Sequence, residues 1–221
     1  MSQLVLWSGG CDSTLVLYEA LQAGYWQWHA GGKSFTTVRA ISISYGAVPC
    51  NAEQRRARDR IKAIFEEKKL VFDHIEVTVS FEGAWPQRGS DGGAIQSQLW
   101  LATAAPYLLD KEDLAISWID GECNNVEAAT TAFNALQQLN GKTGKLVTPL
   151  WKRYKTDVVD RLKSLELLDA CWWCENAADT LKTPALDQPC GHCKKCIDHA
   201  AALWKLEQFP REILQTNGMV A

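Results

Sequence analysis

Apolar residues in this chain follow two rhythms. Short, nearly unbroken apolar runs at Leu4–Trp7, Val38–Tyr45, Ile75–Val79, Leu114–Ile119 and Leu146–Thr148 predict five strands, because strands of a sheet covered on both faces read this way. Between them apolar residues return every three or four positions. Ser13–Ala23 carries Leu15, Val16, Tyr18, Ala20 and Leu21 on roughly one helical face, and Glu53–Lys69 carries Ala57, Ile61, Ile64 and Phe65 on one stripe with charges elsewhere. Ile95–Leu109, Val126–Leu139 and Asp157–Leu168 complete the helices. Alternating strands and helices predict an α/β fold: a parallel sheet with helices on both faces, joined by right-handed crossovers. Ligands of such sheets sit beyond the carboxyl ends of the strands.

Three segments break the rhythm. Gly24–Thr36 (GYWQWHAGGKSFT) reads as an aromatic and glycine-containing insertion, and Glu82–Gly93 (EGAWPQRGSDGG), with four glycines and a proline, as a mobile loop able to fold over a site. Past about Leu168 the periodicity stops and five cysteines follow. The chain therefore divides into an α/β domain over 1–168 and a cysteine-bearing element over 169–221.

Composition narrows the classes. The 221 residues are 47 % hydrophobic and 22 % charged, the balance of a soluble globular protein. A net charge of −3 argues against a nucleic-acid partner. No run is long enough for a membrane span and the N-terminus lacks a signal-peptide pattern, so a cytoplasmic protein is expected. There its eight cysteines would be thiols or metal ligands.

The junction between the first strand and helix reads LWSGGCDST, Leu6 to Thr14. Gly9 and Gly10 allow a tight turn and close approach to the backbone. Amides from Gly9 to Thr14 would converge at a helix N-terminus, where the dipole favours a polyphosphate. Ser8, Ser13 and Thr14 add hydroxyls; Asp12 suits a helix cap or a Mg²⁺ ligand. No Gly-Lys-Ser/Thr follows, so this is not the lysine-bearing P-loop. In the tail, Cys174, Cys190, Cys193 and Cys196 are spaced C-x15-C-x2-C-x2-C, and Cys171 adds a further C-x2-C. Four thiolates from short knuckles suit tetrahedral Zn²⁺ with no open position, with an iron–sulfur cluster as the main competitor. Five cysteines compete for four places; a plain ribbon would use Cys171, Cys174, Cys190 and Cys193. His192 and His199 are read as bystanders, and Cys11 as a spectator.

The string from Ser8 to Thr14 resembles the PP-loop of ATP pyrophosphatases. Together with PCGHCKKC (Pro189–Cys196), SYG (Ser44–Gly46), Glu53, TPL (Thr148–Leu150), Lys155 and CEN (Cys174–Asn176), it resembles the 7-cyano-7-deazaguanine synthase (QueC) family over most of the chain. The resemblance implies an adenine nucleotide alpha hydrolase-like, Rossmann-like domain with a structural zinc tail. It selects Cys174, Cys190, Cys193 and Cys196 as the zinc ligands, and implies a nucleotide site of Trp7, Ser8, Gly9, Gly10, Asp12, Ser13 and Thr14. Asp12 and Lys155 would be catalytic, with ATP and Mg²⁺ as cofactors. The implied activity is AMP-forming activation of a 7-carboxy-7-deazaguanine-like carboxylate, then attack by ammonia or another amine to give an amide or nitrile. A homodimer is implied. Two departures stand out. Gln96 and Ser97 replace a PGRN-like stretch, and Gly121, Glu122, Asn124 and Asn125 replace a YPDCR-like one. The activation half therefore reads as retained and the acceptor half as remodelled. This admits a variant that joins the deazaguanine to an amine of a partner protein in antiviral defence. A tRNA-modifying PP-loop enzyme and a nucleotide-binding module without turnover are the other classes. Among ten tryptophans, Trp26, Trp28, Trp172 and Trp173 are candidates to stack on a planar base, though packing accounts for most.

Overall fold

The computed structural model describes residues 2–29, 37–45, 50–80, 92–120, 122–123, 125–175 and 188–208, with backbone only for 25–29 and 92–96. Five parallel strands, β1 (Ser2–Leu6), β2 (Val38–Tyr45), β3 (Asp73–Val79), β4 (Glu112–Ala115) and β5 (Leu146–Val147), form one sheet in the order β3-β2-β1-β4-β5. Among the described residues six helices accompany them: α1 (Cys11–His29), α2 (Asn51–Glu67), α3 (Gly92–Ala104), α4 (Val126–Leu139), α5 (Lys155–Ser164) and α6 (Lys194–Gln208).

Alternation along the strands builds two cores. Val5, Trp7 and Ala115 face a core filled by Leu15 of α1, Ile61 and Phe65 of α2, and Val158 and Leu162 of α5. Leu4, Ile41 and Leu114 face the opposite core, with Leu101 and Ala104 of α3 and Phe133 of α4. Helices thus cover both faces, as the alternation of elements predicts. The chain steps from β1 out to β2 and β3, then crosses back to β4. This reversal places a topological switch point at the carboxyl end of β1, where α1 begins.

Several boundaries differ from the sequence pattern, each for a local reason. β4 stops at Ala115 because β5 pairs only with Leu114 and Ala115. The apolar run continues because Ile116, Trp118 and Ile119 are buried in the chain that bends over the strand ends. α1 starts at Cys11, inside the glycine turn, and runs on through the first residues of the predicted insertion to His29. Residues 30–36 of that insertion lie outside the described residues, as do 82–91 of the second predicted loop; Gly92 and Gly93 open α3 instead. α5 begins at Lys155, where Asp157 Oδ2 accepts the Tyr154 amide at 3.0 Å. α6 is absent from the sequence reading. Its inward face is Cys196, His199 and Ala202 rather than aliphatic residues. Among the described residues no helix is long and apolar enough to cross a membrane.

At the amino end of the sheet, fully buried Glu112 gathers Arg39, the Ser2 hydroxyl and the Leu109 amide, tying β1, β2 and β4 together. Burial pushes this carboxyl up, but these donors outweigh it and hold it below the usual value. Its stabilisation is therefore present above the unfolded carboxylate pKa and lost as pH falls through the lower folded value. Arg39→Ala, which strands a buried charge, should cost about 3 kcal/mol by urea unfolding at neutral pH. It should also flatten the acid limb of the stability curve.

Candidate functional site

The site grows from one backbone turn. Gly9 has φ +86°, and a Cβ there would lie 2.8 Å from the Gln54 carbonyl oxygen and 2.9 Å from Arg58 Cγ, so only glycine fits. Three outside groups hold the turn. The Trp172 amide donates to the Gly9 carbonyl at 3.0 Å. Arg58 Nη1 donates to the Ser8 carbonyl at 3.2 Å, and the Ser42 hydroxyl donates to the Trp7 carbonyl. Within the turn, the Ser8 amide donates to Ser13 Oγ and the Gly10 amide to Ser8 Oγ, both at 3.2 Å. Trp7 and Thr14 are buried; the Trp7 indole N–H donates to Thr14 Oγ1 at 3.1 Å. The first intrahelical bond runs from the Thr14 amide to the Gly10 carbonyl. The amides of Cys11, Asp12 and Ser13 therefore form the donor-rich end of α1 at the switch point.

Asp12 and Lys155 meet beside this turn. Lys155 Nζ lies 2.8 and 2.7 Å from the two carboxylate oxygens of Asp12, with both side chains mostly buried. Burial alone would lower the lysine pKa, but the Asp12 charge and the Cys11 sulfur outweigh it and raise it. The ammonium is thus held charged at the mouth of the turn. From the far side Glu122 accepts the Ile119 amide and pairs with Lys195 of α6. Asn125 caps α4 by accepting the Ala128 amide at 2.8 Å. Ser97 is half-buried on α3. The Gln96 side chain, Gly121, Asn124 and Asn176 lie outside the described residues, as do the side chains of Trp26 and Trp28.

The sulfurs of Cys174, Cys190, Cys193 and Cys196 all lie within 4.8 Å of one another, with Cys190 and Cys196 at 3.9 Å. A single ion at about 2.3 Å from each sulfur would set their spacing near ~3.8 Å, so the set fits one tetrahedral metal. The Cys190 amide donates to Cys174 Sγ at 3.3 Å and the Cys193 amide to Cys190 Sγ at 3.4 Å, the knuckle bonds such thiolates need. Cys171 stands apart, which excludes the plain-ribbon set. It donates to the Leu167 carbonyl and lies in the core against Cys11. A hydrogen bond shared with Cys171 lowers the Cys11 pKa to about 6 against the opposing effect of burial, with His199 and Lys155 adding to the drop. Cys171 is pushed well above the ordinary thiol value, first by that same bond. His199 is buried and stacks on Trp173 at 3.8 Å. His192 is exposed, with Nδ1 against the Cys190 carbonyl. Neither belongs to the metal set.

Arg58, the Trp172 amide, Lys195 and His199 were not foreseen from the sequence. In the sequence Trp172 stands only as a stacking candidate, His199 as a bystander, and Arg58 as one of the charges beside the apolar stripe of α2. Glu53, for which a solvated face, a first-turn acid and a site role are equally open from the sequence, lies in the first turn of α2 and is buried, with Oε1 bonded to Arg56 at 3.0 Å.

Fold and site define a Rossmann-like α/β protein with a helix-terminal turn at its switch point and a four-cysteine cluster able to hold a metal. No family model matches the chain, and no curated protein sequence matches it. Among solved structures, the U34-tRNA thiolase NcsA from Methanococcus maripaludis, with its 4Fe-4S cluster, matches over 96 % of this chain and 67 % of its own, at a TM-score of 0.46 and 16 % identity.

Gly9→Ala should lower stability by about 2 kcal/mol, from left-handed strain and the clash with the α2 backbone; thermal melting reads this. Metal removal should free α6, breaking the Lys195–Glu122 pair. Chelation, or Cys196→Ser, should make α6 sensitive to limited proteolysis while the sheet keeps its far-UV signal.

Proposed function

We propose that this protein is an AMP-forming ATP pyrophosphatase of the PP-loop type, similar to 7-cyano-7-deazaguanine synthases. It would activate a 7-carboxy-7-deazaguanine-like carboxylate for attack by nitrogen. The observation that carries the reading is the Asp12–Lys155 pair set against the helix-terminal turn at the carboxyl end of β1. In this reading the amides of Cys11, Asp12 and Ser13, with the hydroxyls of Ser8 and Ser13, receive the ATP polyphosphate. Mg²⁺ bound beside Asp12 would offset phosphate charge. Lys155, released from Asp12, then faces the departing pyrophosphate and stabilises its charge. A substrate carboxylate oxygen attacks the α-phosphorus; the bond to the β-phosphate oxygen breaks, giving an acyl-adenylate and pyrophosphate. An amine nitrogen attacks the acyl carbon and AMP leaves with the C–O electron pair. A second activation, of the amide oxygen, would dehydrate the primary amide to a nitrile. Zn²⁺ on Cys174, Cys190, Cys193 and Cys196 is structural here, because four thiolates leave no open position.

The acceptor side favours a second reading. Glu122 is occupied by Lys195 and Asn125 by the α4 cap, where the resemblance led us to expect substrate contacts. An amine on a partner protein, in place of ammonia, is the variant this supports. Transfer of sulfur to tRNA, the activity in the name of the structural neighbour, would ask for a basic surface on a chain of net charge −3. A cytoplasmic homodimer remains the expected state.

Incubation with ATP, Mg²⁺, 7-carboxy-7-deazaguanine and ammonium should yield AMP and pyrophosphate. Asp12→Asn and Lys155→Ala should each lower kcat by about 100-fold or more, with metal content unchanged. Absence of both products with every amine tried would contradict the assignment.

A further inference from the structure

A cavity of about 280 Å³ lies between the start of α2 and the segment before the cysteine cluster, lined by Glu53, Arg56, Arg60, Asp169 and Trp172. Its floor is buried: Glu53 and Trp172 are 4 % and 6 % exposed. Its rim is the exposed Arg56, Arg60 and Asp169. One feature of the floor is costly in a folded protein. Glu53 Oε1 is bonded to Arg56, but Oε2 is buried and, among the described residues, has no hydrogen-bond partner. A carboxylate oxygen in that state is expected to have a donor for at least part of the working cycle.

Two neighbours connect the cavity to the glycine turn. Gln54, next to Glu53, is the backbone neighbour that a Cβ on Gly9 would strike, and Trp172 donates its amide to Gly9. A group held at Glu53 therefore sits beside the turn proposed to carry the nucleotide. The group such a site recognises is a positively charged N–H donor. A carboxylate oxygen accepts it, and an aromatic wall is compatible with a cation. The volume far exceeds what ammonium needs, so there is room for a substituent behind the nitrogen, and exposed Arg60 at the rim suits a carboxylate on that substituent.

We propose that this cavity binds the nitrogen nucleophile as an ammonium or primary ammonium group, with Glu53 as the base that frees its lone pair. The inference rests on the adenylation reading above. The ammonium proton passes to Glu53 Oε2. The freed lone pair attacks the acyl carbon of the acyl-adenylate, the C–O bond to the phosphate breaks, and AMP leaves with that electron pair. The surplus proton on the new amide nitrogen goes to solvent, and Glu53 returns its own proton to solvent before the next turnover.

The two half-reactions separate the tests. ATP–pyrophosphate exchange with 7-carboxy-7-deazaguanine needs no amine, and amide formation does. Wild type would be assayed for both with ammonium chloride, methylamine and a short acidic peptide with a free N-terminus. Glu53→Gln should raise the KM for the amine at least tenfold relative to the exchange rate, and Glu53→Asp should fall between it and wild type. Saturation by ammonium alone would identify the free ion, and saturation by the peptide a substituted amine; dependence of either on Glu53 supports the site. An amine KM that neither variant moves, with exchange intact in wild type, would overturn the cavity assignment alone. No exchange in wild type would overturn the adenylation reading, and this inference with it.

Discussion

The structure turns on the left-handed backbone of Gly9. With φ at +86° its carbonyl points away from α1, toward the tail, where the Trp172 amide takes it. The same turn leaves the amides that follow at the open end of the helix. A β-carbon at this position would meet backbone on α2, so the conformation is fixed by packing as well as by hydrogen bonding. Around it stand Arg58, which is buried and braces the Ser8 carbonyl, and the Ser42–His74 pair behind Trp7. Burial, then the nearby Lys62 charge, pulls the His74 pKa down to about 4, so this support is neutral at physiological pH.

That one amide from Trp172 makes the tail part of the site. Two residues later the chain supplies Cys174, the first ligand of the cysteine cluster, and the cluster's last ligand, Cys196, lies in the first turn of α6. α6 then returns Lys195 to Glu122 and brings His199 to Cys11. A metal in the cluster would therefore do more than fold a tail. It would fix the helix that closes the far side of the turn. This gives a chain with an ordinary hydrophobic core a use for a four-cysteine cluster able to hold a metal.

Much of the architecture was legible because hydrophobic periodicity and the β–α alternation are local signals. Val38–Tyr45 and Val126–Leu139 match their elements residue for residue. The glycine turn was legible because few other arrangements call for two glycines, two serines and an aspartate between a strand and a helix. What escaped was non-local. Nothing near Trp172 says that its amide will meet Gly9, 163 positions earlier in number, and nothing near Lys195 says that Glu122 lies across from it. α6 escaped because its buried face uses cysteine, which reads as a ligand, and histidine in place of aliphatic residues. Spacing alone could not choose among the five cysteines; packing did, by placing Cys171 in the core against Cys11.

The central claim is that the amides opening α1 hold phosphate. It is tested most directly by titrating pyrophosphate with Mg²⁺ into isotope-labelled protein and following backbone amide resonances. The account predicts saturable shifts that are largest at Cys11, Asp12 and Ser13. The Lys155 side chain should shift with the same midpoint as it leaves Asp12. Shifts confined to other parts of the chain, with these amides unmoved at saturating ligand, would contradict it.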